Sequence, residues 1–259
     1  MEKYISLLKY FIKYCIIRDM NFRFNFFINI LTDFTYSILK IIFTYIIFEN
    51  VSNLGGLTKY QIFFLLGTSF ILDSLYMMFL FFNHTQIPES VRMGTLDFTF
   101  IKPVSPLFMV SFRYFNIAGI GNLIFGGFLL LSSLRHITVS VSDFLIYILL
   151  LICGFIIYFS ISLTAFTFSF WTVKADGFLG MLVDMTEIMK YPHSLFPRLI
   201  QSVFTFIIPI FMIASFPTSI ALGLLPKYVI ALNVLLAILC FTISTRFFKY
   251  SLLKYTSAN

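Results

Sequence analysis

Long apolar runs, separated by short polar segments, dominate the pattern along the chain. A helix needs about 20 apolar residues to cross the roughly 30 Å hydrocarbon core of a bilayer. Runs near or above that length cover residues 25–48, 60–82, 114–132, 144–172, 199–215 and 228–248. The fifth run contains Pro209, a residue type that interrupts helices. The pattern therefore predicts an all-α membrane protein with six transmembrane helices in one domain, residues 1–259.

Residues 1–24 have a different pattern, with apolar side chains three and four positions apart on one helical face. That face carries Tyr4, Leu7, Leu8, Phe11 and Cys15. Basic residues are scattered through the segment, which is unlike the charge-then-apolar order of a cleavable signal peptide. We therefore expect an amphipathic interfacial helix that lies along the membrane lipid. A cytosolic helix packed on a partner is the alternative.

Residues 83–113 form a polar segment punctuated by Gly and Pro between the second and third runs. Pro88 is a residue type favoured in the first turn of a helix. From there Met93, Leu96 and Phe100 recur at helical spacing, so they are expected on one face of a short helix parallel to the membrane. This segment is the predicted first loop on the inner side.

Two later segments also interrupt the apolar pattern. Residues 173–198 carry charges of both signs and are predicted to form a second cytoplasmic loop, which is either another docking surface or a solvated linker. Residues 216–226 are apolar, bounded by Pro217 and Pro226, and too short to span. They predict a re-entrant hairpin between spans five and six on the outer side, with its open backbone buried by protein.

Charge distribution sets the expected orientation. Only 11% of the 259 residues are charged, against about 25% in a soluble domain, and the net charge is +7. Most Lys and Arg lie in the N-terminal segment, the two predicted inner loops and the C-terminal end, whereas the outer loops carry only Lys59, Arg135 and Lys227. The excess of positive charge on one side predicts that both termini are cytoplasmic. It also accounts for the basic character without a nucleic-acid partner.

Three charged residues fall inside the predicted spans: Asp33 and Lys40 in the first and Asp73 in the second. Each ionised side chain there costs about 2.5–3.5 kcal/mol on insertion scales, so each needs a partner or water. One hypothesis is an ion pair between Lys40 and Asp73 that joins the two spans. The alternatives are that these residues line a polar pathway or form a proton relay.

Other polar and small residues in the spans have two interpretations. Ala118, Asn122 and Gly126 form a small stripe that favours close helix approach. The fourth run carries hydroxyl side chains that bond either back to their own helix or to neighbouring helices, and both a packing role and a cavity wall stay open for them. These are Ser160, Ser162, Thr164, Thr167 and Ser169.

Enzyme and metal chemistry find little support in the sequence. The three Cys and three His are isolated, without the spacing of metal ligands, so no metal site is predicted. No stretch matches the GxxxxGK[ST] phosphate loop. If the protein uses ATP, another polypeptide must hydrolyse it.

The stretch "RMGTLDFTFIKPVSP", from Arg92 to Pro106, resembles the R-x-G-T-L-[DE]…P-[VIL]-S loop of permease subunits in bacterial type-2 ATP-binding-cassette exporters. The passage from Tyr191 to Gly223 begins "YPHSLFP" and is similar to the "YP…P…P" passage through span five in one branch of that class. Together with the amphipathic N-terminus and six runs, the resemblance covers most of the chain.

The resemblance implies a permease in the bacterial inner membrane that pairs with a second, identical or related permease. It also implies separate cytosolic ATPase subunits, which bind the ATP and Mg. In that family this loop carries the helix that meets the ATPase, so the implied contact residues are Arg92, Gly94, Thr95, Leu96 and Asp97. Pro103 would fix the turn back to the membrane.

The cargo stays open among drugs, lipids, glycans and peptides. The alternative class is an autonomous proton-coupled secondary transporter that uses Asp33 or Asp73.

Overall fold

A computed structural model describes residues 2–21, 23–172 and 176–255, and all regular elements in these ranges are helical. The α-helices are α1 (Glu2–Asn21), α2 (Arg23–Asn50), α3 (Lys59–Tyr76), α4 (Phe82–Thr85), α5 (Ile87–Arg92), α6 (Asp97–Phe100), α7 (Pro106–Phe112), α8 (Ile120–Leu134), α9 (Val141–Thr167), α10 (Asp176–Met189), α11 (Arg198–Ser202), α12 (Ser215–Ala221) and α13 (Tyr228–Lys254). The all-α prediction is confirmed.

Five helices in the described ranges are long and apolar enough to cross a membrane. They are Phe26–Asn50, Lys59–Arg92, Ile117–Leu134, Val141–Phe170 and Tyr228–Lys254. The second joins α3 to α5 through a π-helical segment, Met77–Phe81. The protein is therefore a multi-pass membrane protein, and five of the six predicted runs form long helices.

The helices form a bundle with two ends. At one end, here called the α1 end, Lys3 of α1 donates a hydrogen bond to the Pro103 carbonyl at 2.7 Å. At the opposite end, the rings of Tyr60 and His136 stack with centroids 4.0 Å apart. This contact brings together the α2–α3 and α8–α9 connections.

Helices α3 and α8 cross at close range. A Cβ added at Gly67 would lie 2.8 Å from the Gly126 carbonyl oxygen, and one added at Gly126 would lie 3.0 Å from the Gly67 oxygen. Only glycine allows the two backbones to approach this closely. The close approach predicted from the small stripe is thus confirmed at Gly126.

Helix α9 lies at the centre of the core, with α12 and α13 packed on it. Its hydroxyls divide between the two interpretations. Ser160, Thr164 and Thr167 donate to carbonyls one turn earlier in the same helix, which satisfies them locally. Ser162 instead bonds to Tyr76 of α3 at 2.8 Å. Ser162 is therefore the hydroxyl in this group that ties two helices together.

Helix α1 crosses one end of the bundle with the predicted face inward. Cys15 is buried, and Phe11 is partly buried. The Tyr4 ring lies edge-on to Phe108, with centroids 4.9 Å apart. Because the opposite face of α1 is exposed, the helix has the amphipathic character expected from the sequence.

Helix α10 differs from the prediction of a loop over residues 173–198. Near its start, the ring of Phe178 stacks on Phe168 at the α1 end, with centroids 5.9 Å apart. Shortly after its end, the Ser194 hydroxyl donates to the Gly55 carbonyl at the opposite end. The segment therefore crosses the bundle and is not confined to one side. Residues 173–175 lie outside the described ranges.

The fifth apolar run does not form the predicted spanning helix. Helix α11 and the π-helical Val203–Ile207 end at Ile208, whose backbone is extended (φ −122°, ψ 88°). Pro209 follows, and the residue before a proline is biased away from helix. The chain then turns back, because the Phe211 amide donates to the Phe204 carbonyl at 3.2 Å. Residues 198–222 therefore fold back on themselves, over a longer stretch than the predicted 216–226.

The turn of this fold-back is buried inside the bundle. A Cβ at Gly154 of α9 would lie 2.4 Å from the Ile213 carbonyl oxygen, so the turn rests directly on the α9 backbone. The side-chain amide of Asn233 in α13 donates to the Met212 carbonyl at 3.0 Å. Buried irregular backbone needs hydrogen-bond partners, and Asn233 supplies one. The long helices α9 and α13 thus provide the close packing and the hydrogen bond of the turn.

We expect Gly154→Ala to destabilise the protein by about 1–3 kcal/mol, as overpacking a tight core typically does. The added methyl group meets backbone, which cannot rotate away. Gly127→Ala is the matched control, since a Cβ at Gly127 meets nothing within 4 Å. Thermal unfolding of both purified variants in detergent measures the difference. Equal melting temperatures would show that the close contact between α9 and the fold-back is not needed.

Candidate functional site

The loop that resembles the ATPase-contact loop is a broken helix rather than a continuous one. Helix α5 ends at Arg92, and α6 begins at Asp97. Between them Gly94 has φ +68°, a left-handed conformation that glycine adopts without strain. The Asp97 amide donates to the Gly94 carbonyl at 3.3 Å. The glycine thus sets the turn, and the single helix predicted from near Pro88 is replaced by two short ones.

The break changes which side chains face outward. Leu96 is buried at 2% exposure, while Met93 and Phe100 are 64% and 41% exposed. The predicted shared face of these three residues is therefore wrong, because the turn at Gly94 rotates α6 relative to α5. Leu96 anchors the loop to the bundle.

The outer surface of this loop combines a charged pair with apolar side chains. Arg92 bonds to Glu89 at 2.7 Å, and both side chains are more than half exposed. Phe98 and Ile101 are 66% and 79% exposed. Thr95 is exposed, while Asp97 is partly buried. The loop thus exposes apolar side chains next to a charged pair.

Helix α1 supports the return of the loop to the bundle. The bond from Lys3 to the Pro103 carbonyl is joined by one from the Ser105 amide to the Tyr4 hydroxyl at 3.4 Å. Pro103 is itself exposed. The N-terminal helix therefore holds the end of the loop in place.

A second cluster lies among the long helices, and Glu187 of α10 is at its centre. Its carboxylate bonds to Lys40 of α2 and to Lys190 at 2.7 Å. The Tyr36 hydroxyl donates to the same carboxylate. The hypothesis of a Lys40–Asp73 pair is thus wrong, because α10 brings a closer carboxylate to Lys40.

Asp73 of α3 has a different partner. The Tyr158 hydroxyl of α9 donates to it at 3.3 Å, and the Tyr158 ring stacks on Tyr76 with centroids 4.0 Å apart. Tyr76 bonds to Ser162, which also bonds to Nδ1 of buried His84 at 2.8 Å. A row of polar contacts therefore runs between α3 and α9 from Asp73 to the start of the loop segment.

Asp33, Asp73 and Glu187 border a cavity of about 490 Å³ between α2, α3, α8 and α10. Its wall also includes Lys190 and the ring of Tyr36. Volumes of about 300–1,000 Å³ are typical of small-molecule sites. The structure thus brings two of the three predicted intramembrane residues, Asp33 and Asp73, to one cavity.

Sequence reasoning missed the centre of this cluster. The sequence places Glu187 and Lys190 in the predicted second cytoplasmic loop, and it does not predict the roles of Tyr36 and Tyr158. One signal was available: Glu187 and Lys190 are three residues apart, a spacing at which helical side chains are neighbours. Their pairing with Lys40 depends on the tertiary fold.

We expect Glu187→Gln to destabilise the protein more than Lys40→Met. The first change leaves two ammonium groups without their carboxylate, and Lys190 is only 3% exposed. Loss of one partner of a buried ion pair costs about 3–5 kcal/mol. Lys40→Met leaves the Glu187–Lys190 pair intact. Melting temperatures in detergent test the order, and a larger loss for Lys40→Met would contradict the shared-carboxylate geometry.

Comparison with protein-family models gives one match, described as "ABC-2 family transporter protein", over residues 34–259. Neither the curated proteins nor the solved structures contain a match to the chain. The matched region contains the loop, Glu187 with its partners Tyr36, Lys40 and Lys190, and the helices from the second part of α2 onward, whereas α1 and Asp33 lie outside it. The chain therefore belongs to the ABC-2 transporter family and is a membrane permease component of an ABC transporter.

Proposed function

We propose that the chain is the membrane-spanning subunit of an ATP-binding-cassette exporter, driven by ATP that separate ATPase subunits bind with Mg and hydrolyse. The observation that carries this proposal is the exposed loop between α5 and α7. It combines the motif residues with an anchored, outward-facing surface at the end of a bundle of membrane helices.

In this proposal the ATPase docks on the surface formed by Arg92, Thr95, Asp97 and the apolar side chains Phe98 and Ile101. Apolar anchors with charged neighbours are typical of specific protein interfaces. Leu96 holds this surface on the bundle, and Gly94 sets the turn that shapes it. Pro103 fixes the turn by which the chain goes back to the membrane. Closure of the ATPases would push this surface, and α3, which is continuous with α5, would carry the movement inward.

The same proposal sets the orientation and assembly. The loop and both termini lie in the cytoplasm of a bacterial cell, and the permease pairs with a second copy or a related chain in the inner membrane. The fold-back of residues 198–222 then enters the membrane from the outer side and returns to it. Its buried turn fits the requirement that irregular backbone at membrane depth be covered by protein.

The direct test is purification of the tagged protein from its native membrane in mild detergent, with mass spectrometry of what accompanies it. We expect a phosphate-loop ATPase. Asp97→Lys or Arg92→Glu is expected to reduce its recovery about tenfold or more, since charge mismatches at an interface cost several kcal/mol.

Arg135→Glu is the matched control, because Arg135 is also exposed but lies at the opposite end of the bundle. This variant should retain the ATPase. Recovery of the permease without any ATPase, under conditions that preserve other membrane complexes, would favour an autonomous transporter. Retention of the ATPase by both loop variants would show that the ATPase does not dock on this loop.

A further inference from the structure

The cavity of about 490 Å³ continues into a second one of about 400 Å³. The two share Asn29, Phe82 and Asn116 in their walls. The second cavity reaches Arg18 at the end of α1 and Gln86 just before α5. Together they form one groove, here called the α2 groove, from the α1 end to the middle of the bundle.

Helix α2 presents a polar stripe to this groove. Asn29, Thr32, Asp33 and Tyr36 line the cavity and are spaced three and four residues apart, so they lie on one face of the helix. Other faces of α2 carry exposed apolar side chains such as Leu31. Polar side chains inside a membrane helix are costly unless they meet water, protein or a ligand. The stripe therefore marks a groove that holds a polar or charged group.

The charges of the groove are unbalanced. Its inner cavity has three carboxyl side chains, Asp33, Asp73 and Glu187, and one basic side chain, Lys190. Lys190 is already bonded to Glu187. At the mouth of the groove near α1, Arg18 pairs with Asp19 at 2.9 Å.

The carboxyl groups of the inner cavity also differ in how they are satisfied. Asp73 accepts from Tyr158, and Glu187 is shared by its two lysines. Within the described ranges, no protein group bonds to the Asp33 carboxyl group. Asp33 is thus the carboxyl group left to meet a ligand.

Aromatic residues line the same cavity as this carboxyl group. Tyr36, Tyr76, Phe81 and Phe82 all contribute to the wall of the inner cavity. The faces of such rings attract cations, and their apolar bodies suit a hydrophobic ligand. No basic side chain of the inner cavity is left unpaired in the described ranges, so an anion would find no unpaired cationic partner there to offset the carboxyl groups.

We propose that the α2 groove binds a lipophilic organic cation, with Asp33 as its charge partner and the aromatic wall around its apolar body. This inference rests on the proposed transport role and names the substrate class of that role. The apolar part of such a ligand partitions into the membrane. The ligand would then enter the groove through the mouth near α1.

Two probe ions of nearly the same shape and opposite charge test the proposal. Tetraphenylphosphonium and tetraphenylborate each carry four phenyl rings around one central atom. Equilibrium dialysis with the full-length protein in lipid nanodiscs, corrected for empty nanodiscs, measures binding of each. We expect saturable binding of the phosphonium and none of the borate.

Asp33→Asn should weaken phosphonium binding about tenfold or more, as loss of a charge-assisted contact does. Asp143→Asn is the matched control, because Asp143 is partly exposed and lies in the first turn of α9 at the opposite end. That variant should bind like the parent protein.

Asn29→Trp gives an independent variant at an exposed position, where it narrows the junction of the two cavities without altering the buried cluster. It should also weaken binding, even if Asp33→Asn does not fold. Equal binding of both probe ions, absence of phosphonium binding, or unchanged binding in a folded Asp33→Asn or Asn29→Trp variant would each overturn the proposal. No ATPase is present in this experiment, so these failures are distinct from a failure of ATPase recovery.

Discussion

The shared carboxylate of Glu187 is the interaction on which the arrangement of the helices depends. It binds Lys40 on α2 and Lys190 just after α10, and two ammonium groups brought together without it would repel each other in a medium of low dielectric. Glu187 and Lys190 are thus satisfied by each other and by Lys40 where this segment passes between the ends of the bundle. The same carboxylate ties down α2, which is the least buried of the five long helices.

A second constraint is the need to satisfy backbone polar groups where no water reaches them. The fold-back of residues 198–222 is buried at its turn, and its carbonyl at Met212 is met by Asn233. Close contact with α9 requires glycine at 154. The fold-back is thus possible only because two long helices supply a hydrogen-bond donor and an open surface. This explains why an apolar run near spanning length does not span: its backbone finds partners inside the protein.

Much of the architecture was predictable from the sequence, because long apolar runs and loop punctuation are local signals. Membrane class, five long helices, the amphipathic α1 and the family-specific loop all follow from such signals. The errors have a common cause. Lys40 and Glu187 are 147 positions apart, and periodicity within one helix does not say which helix lies beside it. For the same reason the sequence predicts a loop where α10 lies. A sequence does not distinguish charges that are paired inside a bundle from charges that are solvated in a loop. The break of the helix at Gly94 is easier to predict from the sequence, because a glycine inside a helical pattern is a known turn signal.

The groove and the loop are parts of one continuous element. Between Asp73 in the cavity wall and α5 in the loop lies the π-helical segment Met77–Phe81, a wider turn that departs from the regular hydrogen-bond register. Tyr76 before it and His84 after it both bond to Ser162 of α9, so the helix is held at two points around its irregular stretch. Met77 and Phe81 themselves line the cavity. A displacement of α5 relative to α9 would therefore either break one of the bonds to Ser162 or change the register between them. A change of register would turn Met77 and Phe81 relative to the cavity, so in the proposed mechanism this stretch links the loop surface to the α2 groove.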